Sequence, residues 1–329
     1  MKKLINDPEQ VVNETLEGFL AAYGDRIARV GDTGGLVLRE KKDKVALVIG
    51  GGSGHEPMFS MFVGDGLADA SISGHIFTSP DPYSIIETAT AADAGRGVLF
   101  VYGNYAGDNL NFEMASEMLT MSGTPNRIVR VWDDVASAPK ERTEDRRGIA
   151  GDLFVVKVAG AATAAGLDLD EAVRVTEKAR DNTFSIGVAL SGGTIPGAAA
   201  PAFTLPEDEI EFGLGIHGEP GIRRAKLLPA DEIVEELFSL ILADSGIKAG
   251  DRVCTLVNGL GSTTLSELYI MNRKLRQLLD GAGIAVHDMV VGSFVTCQEM
   301  AGASVTLMRL DEELMGYYDA PADSPYYRK

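Results

Sequence analysis

The sequence predicts an α/β protein with two α/β domains, the first with a largely parallel sheet and the second mixed α+β. The apolar runs 45–49 (VALVI) and 97–101 (GVLFV) are continuous, as strands buried on both faces should be. Strand, glycine-rich loop and helical pattern then follow one another, which indicates parallel strands joined by helices. From about residue 184 this regular succession is lost. The change of character predicts a second domain of mixed organisation.

The N-terminal residues predict a helix. Asp7 suits the N-cap, Pro8 suits the first helical position, and Glu9 places an acid in the first turn. Apolar residues three or four positions apart then keep one face apolar: Val12, Leu16, Phe19 and Tyr23. The first element of the chain is therefore expected to be helical.

The rest of the first domain predicts a third strand and two more helices. The strand 127–134 alternates and ends in Asp133 and Asp134, interpreted as a solvated strand end in preference to a divalent-ion site. The segment 168–180 has acids in its first turn and basic residues in its last, as the helix dipole favours. The helix after strand 97–101 is expected to bury the face that carries Leu110, Met114 and Met118.

The second domain is predicted to mix strands and helices, with the domain boundary near residue 183. The two domains are thus expected at 1–183 and 184–329. Strand-like segments lie at 184–190, from 208, and at 253–257, 285–291 and 304–310. A helix is expected at 231–243, and Thr264 with Glu267 fits a capping box that begins another. The tail 320–329 is expected to run over the surface.

Composition excludes several classes of function. The 329 residues are 45% hydrophobic and 24% charged, which is ordinary for a globular protein. The formal net charge of −18 opposes binding to a phosphate backbone, so no nucleic-acid partner is expected. Two isolated cysteines and four histidines without ligand spacing predict no metal bound by this chain.

The ends and uncharged segments predict a cytoplasmic protein. The basic pair near the N-terminus has no apolar segment behind it, so no signal peptide is expected. The long uncharged run 182–206 contains three prolines and several glycines, which a lipid-exposed helix would not tolerate. No membrane partner is expected.

Three glycine-rich loops carry the residues with chemical potential. They are 50–57 (GGGSGHEP), 103–108 (GNYAGD) and 215–221 (GIHGEPG), and they contain His55, Asp108 and His217 respectively. An imidazole with an ordinary pKa of about 6.5 serves as acid, base or nucleophile near neutral pH. A carboxylate can take a proton from a hydroxyl, and glycine backbone leaves N–H groups available to small oxygen-bearing ligands.

Each of these features also has a purely structural interpretation. A glycine-rich turn after a strand is often only a tight turn, and His75 and His287 are interpreted as structural. The recurrence of His and Glu-Pro in GHEP and HGEPG makes His55 and His217 harder to explain in that way. No phosphate-binding motif G-x-x-x-x-G-K-[ST] is present. A phosphoryl donor would therefore have to arrive on another molecule.

Several motifs together resemble the K subunit of dihydroxyacetone kinase. They are MKKLINDP, GGGSGHEPM, FTSP, NYAGDNLNFE, FGLGIHGEPGI and LVNGLGSTTLSELY, spread along the whole chain. The resemblance implies that His217 adds through Nε2 to the ketone carbon of a short ketose and forms a hemiaminal. It further implies that His55 is the acid–base partner of that step and that Asp108 takes the proton from the hydroxyl to be phosphorylated. Gly52, Ser53 and Gly54 would hold the substrate oxygens.

The resemblance also implies a partner. The chain would be the substrate-binding half of a phosphotransferase that acts on an alcohol group, of the glycerone kinase type in glycerol metabolism. The nucleotide, ADP or ATP with Mg, would be carried by a separate L subunit, and this chain would bind no cofactor itself. In one branch of the family a phosphotransferase-system protein rephosphorylates the ADP, and in another ATP is used. The K subunit is expected to be a homodimer.

One departure from the family pattern favours an alternative. Members that depend on the phosphotransferase system commonly have a lysine before NYxGD, where this sequence has Gly103. The hypothesis is that this chain belongs with ATP-using relatives and accepts a larger ketose, such as erythrulose or apulose. A second alternative is a ketose-binding co-activator without kinase activity. A metal-dependent sugar lyase or isomerase would need a ligand cluster that the sequence lacks.

Overall fold

The computed structural model describes residues 2–329. Within them the helices are α1 Val11–Tyr23, α2 Pro82–Ala92, α3 Ala106–Met121, α4 Asp152–Ala164, α5 Leu169–Asp181, α6 Ala230–Ser245, α7 Leu265–Gly281 and α8 Glu312–Asp319. The strands are β1 Ile27–Arg29, β2 Gly35–Leu38, β3 Ala46–Ser53, β4 Ala70–Ile76, β5 Val98–Gly103, β6 Asn126–Val131, β7 Thr183–Ser191, β8 Glu209–Phe212, β9 Arg223–Lys226, β10 Arg252–Gly259, β11 Ala285–Gly292 and β12 Ala301–Leu310. They form two six-stranded sheets, and the predicted fold class is confirmed.

The chain divides into two compact units. The first comprises the described residues up to Arg130, together with Val155–Lys178 and Gly316–Lys329. The second comprises Val131–Phe154 and Ala179–Met315. The division of the chain at residue 183 stays a prediction.

The first unit contains a sheet in the order β1-β2-β4-β3-β5-β6. Strand β3 pairs in parallel with both β4 and β5, so the centre of this sheet is parallel as predicted. The β1-β2 and β2-β4 pairs are antiparallel. Strands β1 and β2 span only three and four residues, too few to show a periodic pattern in the sequence.

Helix α3 presents the opposite face to the core from the one predicted. Its buried residues are Asp108, Phe112, Ala115 and Leu119. The residues expected in the core are instead exposed: Leu110 at 62%, Met114 at 47% and Met118 at 38%. Both sets follow the three-to-four residue spacing of a helix, so the spacing alone could not choose between them. Phe112 packs with Phe100 of β5, which shows the true orientation.

The second unit contains a sheet in the order β11-β10-β12-β7-β8-β9. Strands β10 and β11 are parallel, whereas the other pairs are antiparallel, which confirms the mixed organisation. Helices α6 and α7 cover the sheet with buried side chains that include Leu237, Ile241, Leu268 and Leu275. The predicted capping box is present, because the hydroxyl of Thr264 accepts from Glu267 N and the Glu267 carboxylate accepts from Thr264 N.

Two predictions about solvent-exposed segments are wrong. Asp133 and Asp134 do not form a solvated strand end, since both are buried. The carboxylate of Asp133 accepts from Ile149 N and Gly151 N at 2.8 Å each, and burial raises its pKa. The tail 320–329 does not lie wholly on the surface either. Ser324 and Tyr327 are buried, and the backbone of Asp323 forms an antiparallel β-bridge with the backbone of Asp65. Backbone N–H donors replace the water that the Asp133 carboxylate loses on burial, which composition alone does not reveal.

Candidate functional site

The loop 50–57 begins inside a strand, because β3 continues through the glycines to Ser53. A Cβ on Gly52 would lie 2.7 Å from Thr78 N, so glycine is needed here to let two backbone segments approach. The hydroxyl of Ser53 donates to Gly74 O at 2.7 Å. Gly54 N donates to the Glu56 carboxylate at 3.0 Å. These contacts fix the backbone of the loop, and the close approach at Gly52 is made to the protein itself.

His55 is buried at the end of this loop. Its ring stacks on the ring of Phe77 with a centroid separation of 5.0 Å and an interplanar angle of 29°. Phe77 N donates to Ser53 O at 2.8 Å, which ties the stacking residue to the loop. The neighbouring Glu56 has a raised pKa because burial outweighs its hydrogen bond from Gly54 N. The imidazole is therefore held in one orientation by packing.

Asp108 lies in the first turn of α3, and its side chain is buried. A helix N-terminus favours an ionised carboxylate through the exposed N–H groups and the helix dipole. The turn before it is fixed by Asn109 Nδ2, which donates to Asn104 Oδ1 at 2.9 Å. Strands β3 and β5 are parallel neighbours, so the loops that follow them meet at the same edge of the sheet. The structure thus brings the loops of His55 and Asp108 to one edge of the first sheet.

The segment 77–80 (FTSP) contacts the loop of His55 and helix α3, which carries Asp108. Phe77 stacks on His55, and a Cβ on Gly107 would lie 3.5 Å from Ser79 Cβ. Asn111 Nδ2 also donates to Pro80 O at 2.8 Å. In the sequence this segment had no predicted role beyond its part in the resemblance. Phe77 has a φ of 54°, which is rare for a bulky residue, and no sequence pattern signals it.

His217 lies in the second unit, in the loop between β8 and β9. Its backbone N–H donates to Glu219 Oε2 at 3.0 Å, and its Nδ1 lies 3.3 Å from Glu219 Oε1. Burial raises the pKa of Glu219, but the hydrogen bond from His217 and the charges of His217 and Arg147 outweigh burial and hold the pKa at about 2. Glu219 is therefore ionised at neutral pH. Its carboxylate lies beside Nδ1 of His217, and Nε2 is the ring nitrogen that does not face it.

A buried thiol also contacts this loop. Cys297 Sγ donates to the carbonyl of Ile216, the residue before His217. Burial raises the pKa of Cys297 to about 12, and the carboxylates of Glu219 and Glu299 act in the same direction. A thiol with such a pKa carries almost no thiolate at neutral pH, so Cys297 is an unreactive packing residue here.

The predicted site residues therefore fall in both units. Gly52, Ser53, Gly54, His55 and Asp108 belong to the first unit, and His217 belongs to the second. Within residues 2–329, no group of three or more His, Cys, Asp or Glu side chains is arranged to hold a metal ion. None of the helices in that part of the chain is long and apolar enough to cross a membrane.

The chain matches a known domain family over most of its length. The model of the Dak1 domain matches residues 17–326. The chain belongs to the Dak1 domain family. The dihydroxyacetone-binding subunit DhaK of the PTS-dependent dihydroxyacetone kinase 2 of Listeria innocua is 42% identical over 100% of this chain and 99% of that protein. The predicted resemblance to dihydroxyacetone kinase K subunits is confirmed.

Two other Dak1 relatives bear on the alternatives. An L-erythrulose kinase of Pectobacterium atrosepticum is 45% identical over the full chain, which spans 56% of that enzyme's length. A solved structure described as the dihydroxyacetone kinase operon co-activator Dha-DhaQ matches with a TM-score of 0.89 and 32% identity, covering 94% of this chain and 96% of the co-activator. This Dak1 chain is thus similar both to kinases and to a co-activator.

Proposed function

We propose that this chain is the substrate-binding subunit of a two-part kinase for dihydroxyacetone or a related short ketose. The observation that carries the proposal is the end-to-end match to a dihydroxyacetone-binding subunit, with 42% identity over the whole chain. His55, Asp108 and His217 are all present in the motifs through which this sequence resembles dihydroxyacetone kinase K subunits. A subunit of this kind acts as a phosphotransferase with an alcohol group as acceptor once its partner is bound.

The first chemical step is addition of His217 to the ketone. The Nε2 lone pair forms a C–N bond with the carbonyl carbon, and the π electrons of the carbonyl move to its oxygen. His55 supplies the proton that this oxygen takes up, and the imidazole ring of His217 becomes positively charged. Glycerol has no carbonyl to attack, so the step selects ketones and fixes their orientation for transfer.

The second step is phosphoryl transfer to a substrate hydroxyl. Asp108 accepts the hydroxyl proton. Gly52, Ser53 and Gly54 hold the substrate oxygens, as the resemblance implies, with groups other than the Ser53 hydroxyl and Gly54 N–H, which donate to Gly74 O and Glu56. The phosphate donor is a nucleotide with Mg carried by a separate L subunit, because the three glycine-rich loops of this chain contain no lysine to contact nucleotide phosphates. We also propose a cytoplasmic location and a homodimeric state for the subunit.

The test is formation of the covalent adduct. Native mass spectrometry of the chain incubated with dihydroxyacetone should show one substrate bound per chain, and the His217→Ala variant should show none. Turnover should then require the partner subunit and ATP or a phosphorylated phosphotransferase-system protein. An adduct that persists in His217→Ala would overturn the assignment of the nucleophile.

A larger ketose is a second candidate substrate. Gly103 occupies the position where a lysine is common in the phosphotransferase-dependent branch, and a glycine there leaves more room. The 45% identity to an L-erythrulose kinase over the full chain supports this candidate. Comparison of kcat/KM for dihydroxyacetone, erythrulose and apulose decides it, with Gly103→Lys as the matched variant. A clear preference of the unaltered chain for dihydroxyacetone would refute this candidate.

A co-activator without kinase activity is the remaining alternative, supported by the similarity to Dha-DhaQ. Retention of His55, Asp108 and His217 favours catalysis, because a protein that only senses a ketose has no need of a base for transfer. Lack of any phosphorylated product with a cognate L subunit and ATP, despite an intact adduct, would favour the co-activator.

A further inference from the structure

A chain of charged side chains leads from the interior of the second unit to His217. Arg147 Nη2 lies 2.8 Å from Asp134 Oδ2 and also donates to Gly213 O at 3.1 Å. Arg147 Nη1 lies 3.7 Å from Glu219 Oε2. Glu219 in turn contacts both the backbone N–H and Nδ1 of His217. The guanidinium thus links the start of the 213–222 loop to the carboxylate beside the imidazole.

Asp134 and Arg147 are the more buried end of this series of side chains, and Glu219 and His217 are the more exposed end. Side-chain exposure is 2% for Asp134, 12% for Arg147, 34% for Glu219 and 25% for His217. Asp134 Oδ1 also accepts from Ala136 N at 3.1 Å, which fixes the buried end. Burial raises the pKa of Asp134 to about 6, although the charge of Arg147 lowers it. Arg147 is therefore anchored from the interior and acts on the more exposed loop.

Gly215 provides the space in which Arg147 and Glu219 meet. A Cβ at this position would lie 2.1 Å from Glu219 Oε2 and 2.3 Å from Arg147 Nη1. Both atoms are the ends of flexible side chains, so a methyl group there would push them away without blocking the backbone. Glycine at position 215, the first residue of GIHGEPG, therefore leaves room for the side chains of Glu219 and Arg147 to approach each other.

We propose that Glu219 and Arg147 are positioning residues for His217, which hold its Nδ1 as the protonated nitrogen and so make Nε2 the ring nitrogen whose lone pair attacks a ketone. This inference rests on the proposed function. A carboxylate that accepts from Nδ1–H fixes both the tautomer and the ring orientation. The hemiaminal ring carries a positive charge once Nε2 has bonded to carbon, and the adjacent Glu219 carboxylate stabilises that charge. Arg147 keeps the carboxylate in place.

The decisive variant is Gly215→Ala, which displaces the two side chains while keeping their chemistry. We expect the rate of adduct formation with dihydroxyacetone to fall about 10-fold to 100-fold, because a displacement of about 1 Å at a reacting group has effects of this size. Gly281→Ala is the matched control, since a Cβ at this exposed position in the same unit would meet nothing within 4 Å. It should form the adduct at the normal rate.

A spectroscopic measurement separates positioning from a general loss of structure. ¹⁵N NMR of the His217 ring should show the Nδ1–H tautomer in the unaltered chain. It should show an increased share of the Nε2–H tautomer in Glu219→Gln and Gly215→Ala. The single variant Arg147→Met would leave Asp134 as a buried charge without its cation. The double variant Arg147→Met/Asp134→Asn is therefore used in place of the single variant. Slower adduct formation in that folded double variant is expected.

The outcomes distinguish this inference from the proposed function. If His217→Ala forms the adduct as well as the unaltered chain does, the proposed function fails. If His217→Ala loses the adduct while Gly215→Ala, Glu219→Gln and the double variant keep the normal rate and tautomer, only the positioning inference is overturned. Slower addition with a shifted tautomer in those variants supports both.

Discussion

Asp108 illustrates how the position of a single residue in the fold suits it to a chemical role. Its carboxylate is buried in the first turn of α3, at the N-terminus of that helix. An ionised carboxylate can accept a proton from a hydroxyl, but it adds little to binding of a neutral ketose. Its proposed contribution therefore belongs to the transition state of transfer, whereas His217 accounts for covalent capture.

Replacement of Asp108 with Asn should separate these two roles. We expect kcat with the partner subunit to fall about 100-fold to 10,000-fold, as is usual for loss of a general base. Affinity for dihydroxyacetone, measured as adduct at equilibrium, should change by less than about 3-fold because the ground state is unaffected. Steady-state assays and mass spectrometry measure the two quantities on one preparation. Normal turnover by Asp108→Asn would show that another group is the base.

The partners of the predicted residues could not be read from the sequence. His55, Asp108 and His217 were predicted because each lies among glycines in a short loop. Phe77 and Arg147 were not predicted, because their partners lie in distant parts of the sequence. Phe77 stacks on His55, and Arg147 contacts Glu219. Local patterns carry no information about such contacts when only one sequence is considered.

At the scale of whole elements, prediction succeeded where one face of a helix differs from the other or a terminus has a capping residue. The capping box at Thr264 marked the start of α7 correctly. Helix α4 was missed because it is buried on all sides, so its sequence shows no polar face. Helix α3 was placed correctly but oriented wrongly, because Met114 and Phe112 lie on two faces with equally regular apolar spacing.

Two leucines of α3 provide a matched test of its orientation. Leu119 is 2% exposed and Leu110 is 62% exposed, and both lie within the same helix. Leu119→Ala should lower the free energy of unfolding by about 2–5 kcal/mol, since it removes buried methyl groups and leaves a cavity. Leu110→Ala should lower it by less than about 0.5 kcal/mol. Urea unfolding followed by circular dichroism measures both, and equal losses would contradict the orientation.

At the scale of the whole molecule, the first unit is assembled from three separate stretches of chain. Lys157 joins two of them: its fully buried side chain donates from Nζ to Tyr317 O of α8 at 2.8 Å. Burial lowers the pKa of Lys157 to about 8, with the charge of Lys329 acting in the same direction and that of Asp319 opposing it. A buried lysine at this junction makes the stability of the first unit depend on pH.

The sign of that dependence follows from proton binding. The unfolded lysine keeps its proton up to about pH 10.5, whereas the folded one loses it near pH 8, so the unfolded state binds more protons and stability rises with pH in this range. The free energy of unfolding of the unaltered chain, relative to Lys157→Met, should increase by about 2 kcal/mol between pH 7.5 and pH 10. Urea titrations at several pH values measure this difference. A difference that stays constant with pH would show that Lys157 titrates normally.

The discontinuous makeup of the first unit also has a consequence for biosynthesis. Protein domains commonly fold as their residues emerge from the ribosome, beginning at the N-terminal end. Here Gly316–Lys329 belongs to the same compact unit as the sheet that carries His55 and Asp108. The first unit can therefore be completed only after residues 316–329 have left the exit tunnel, and by then every residue of the second unit has been translated.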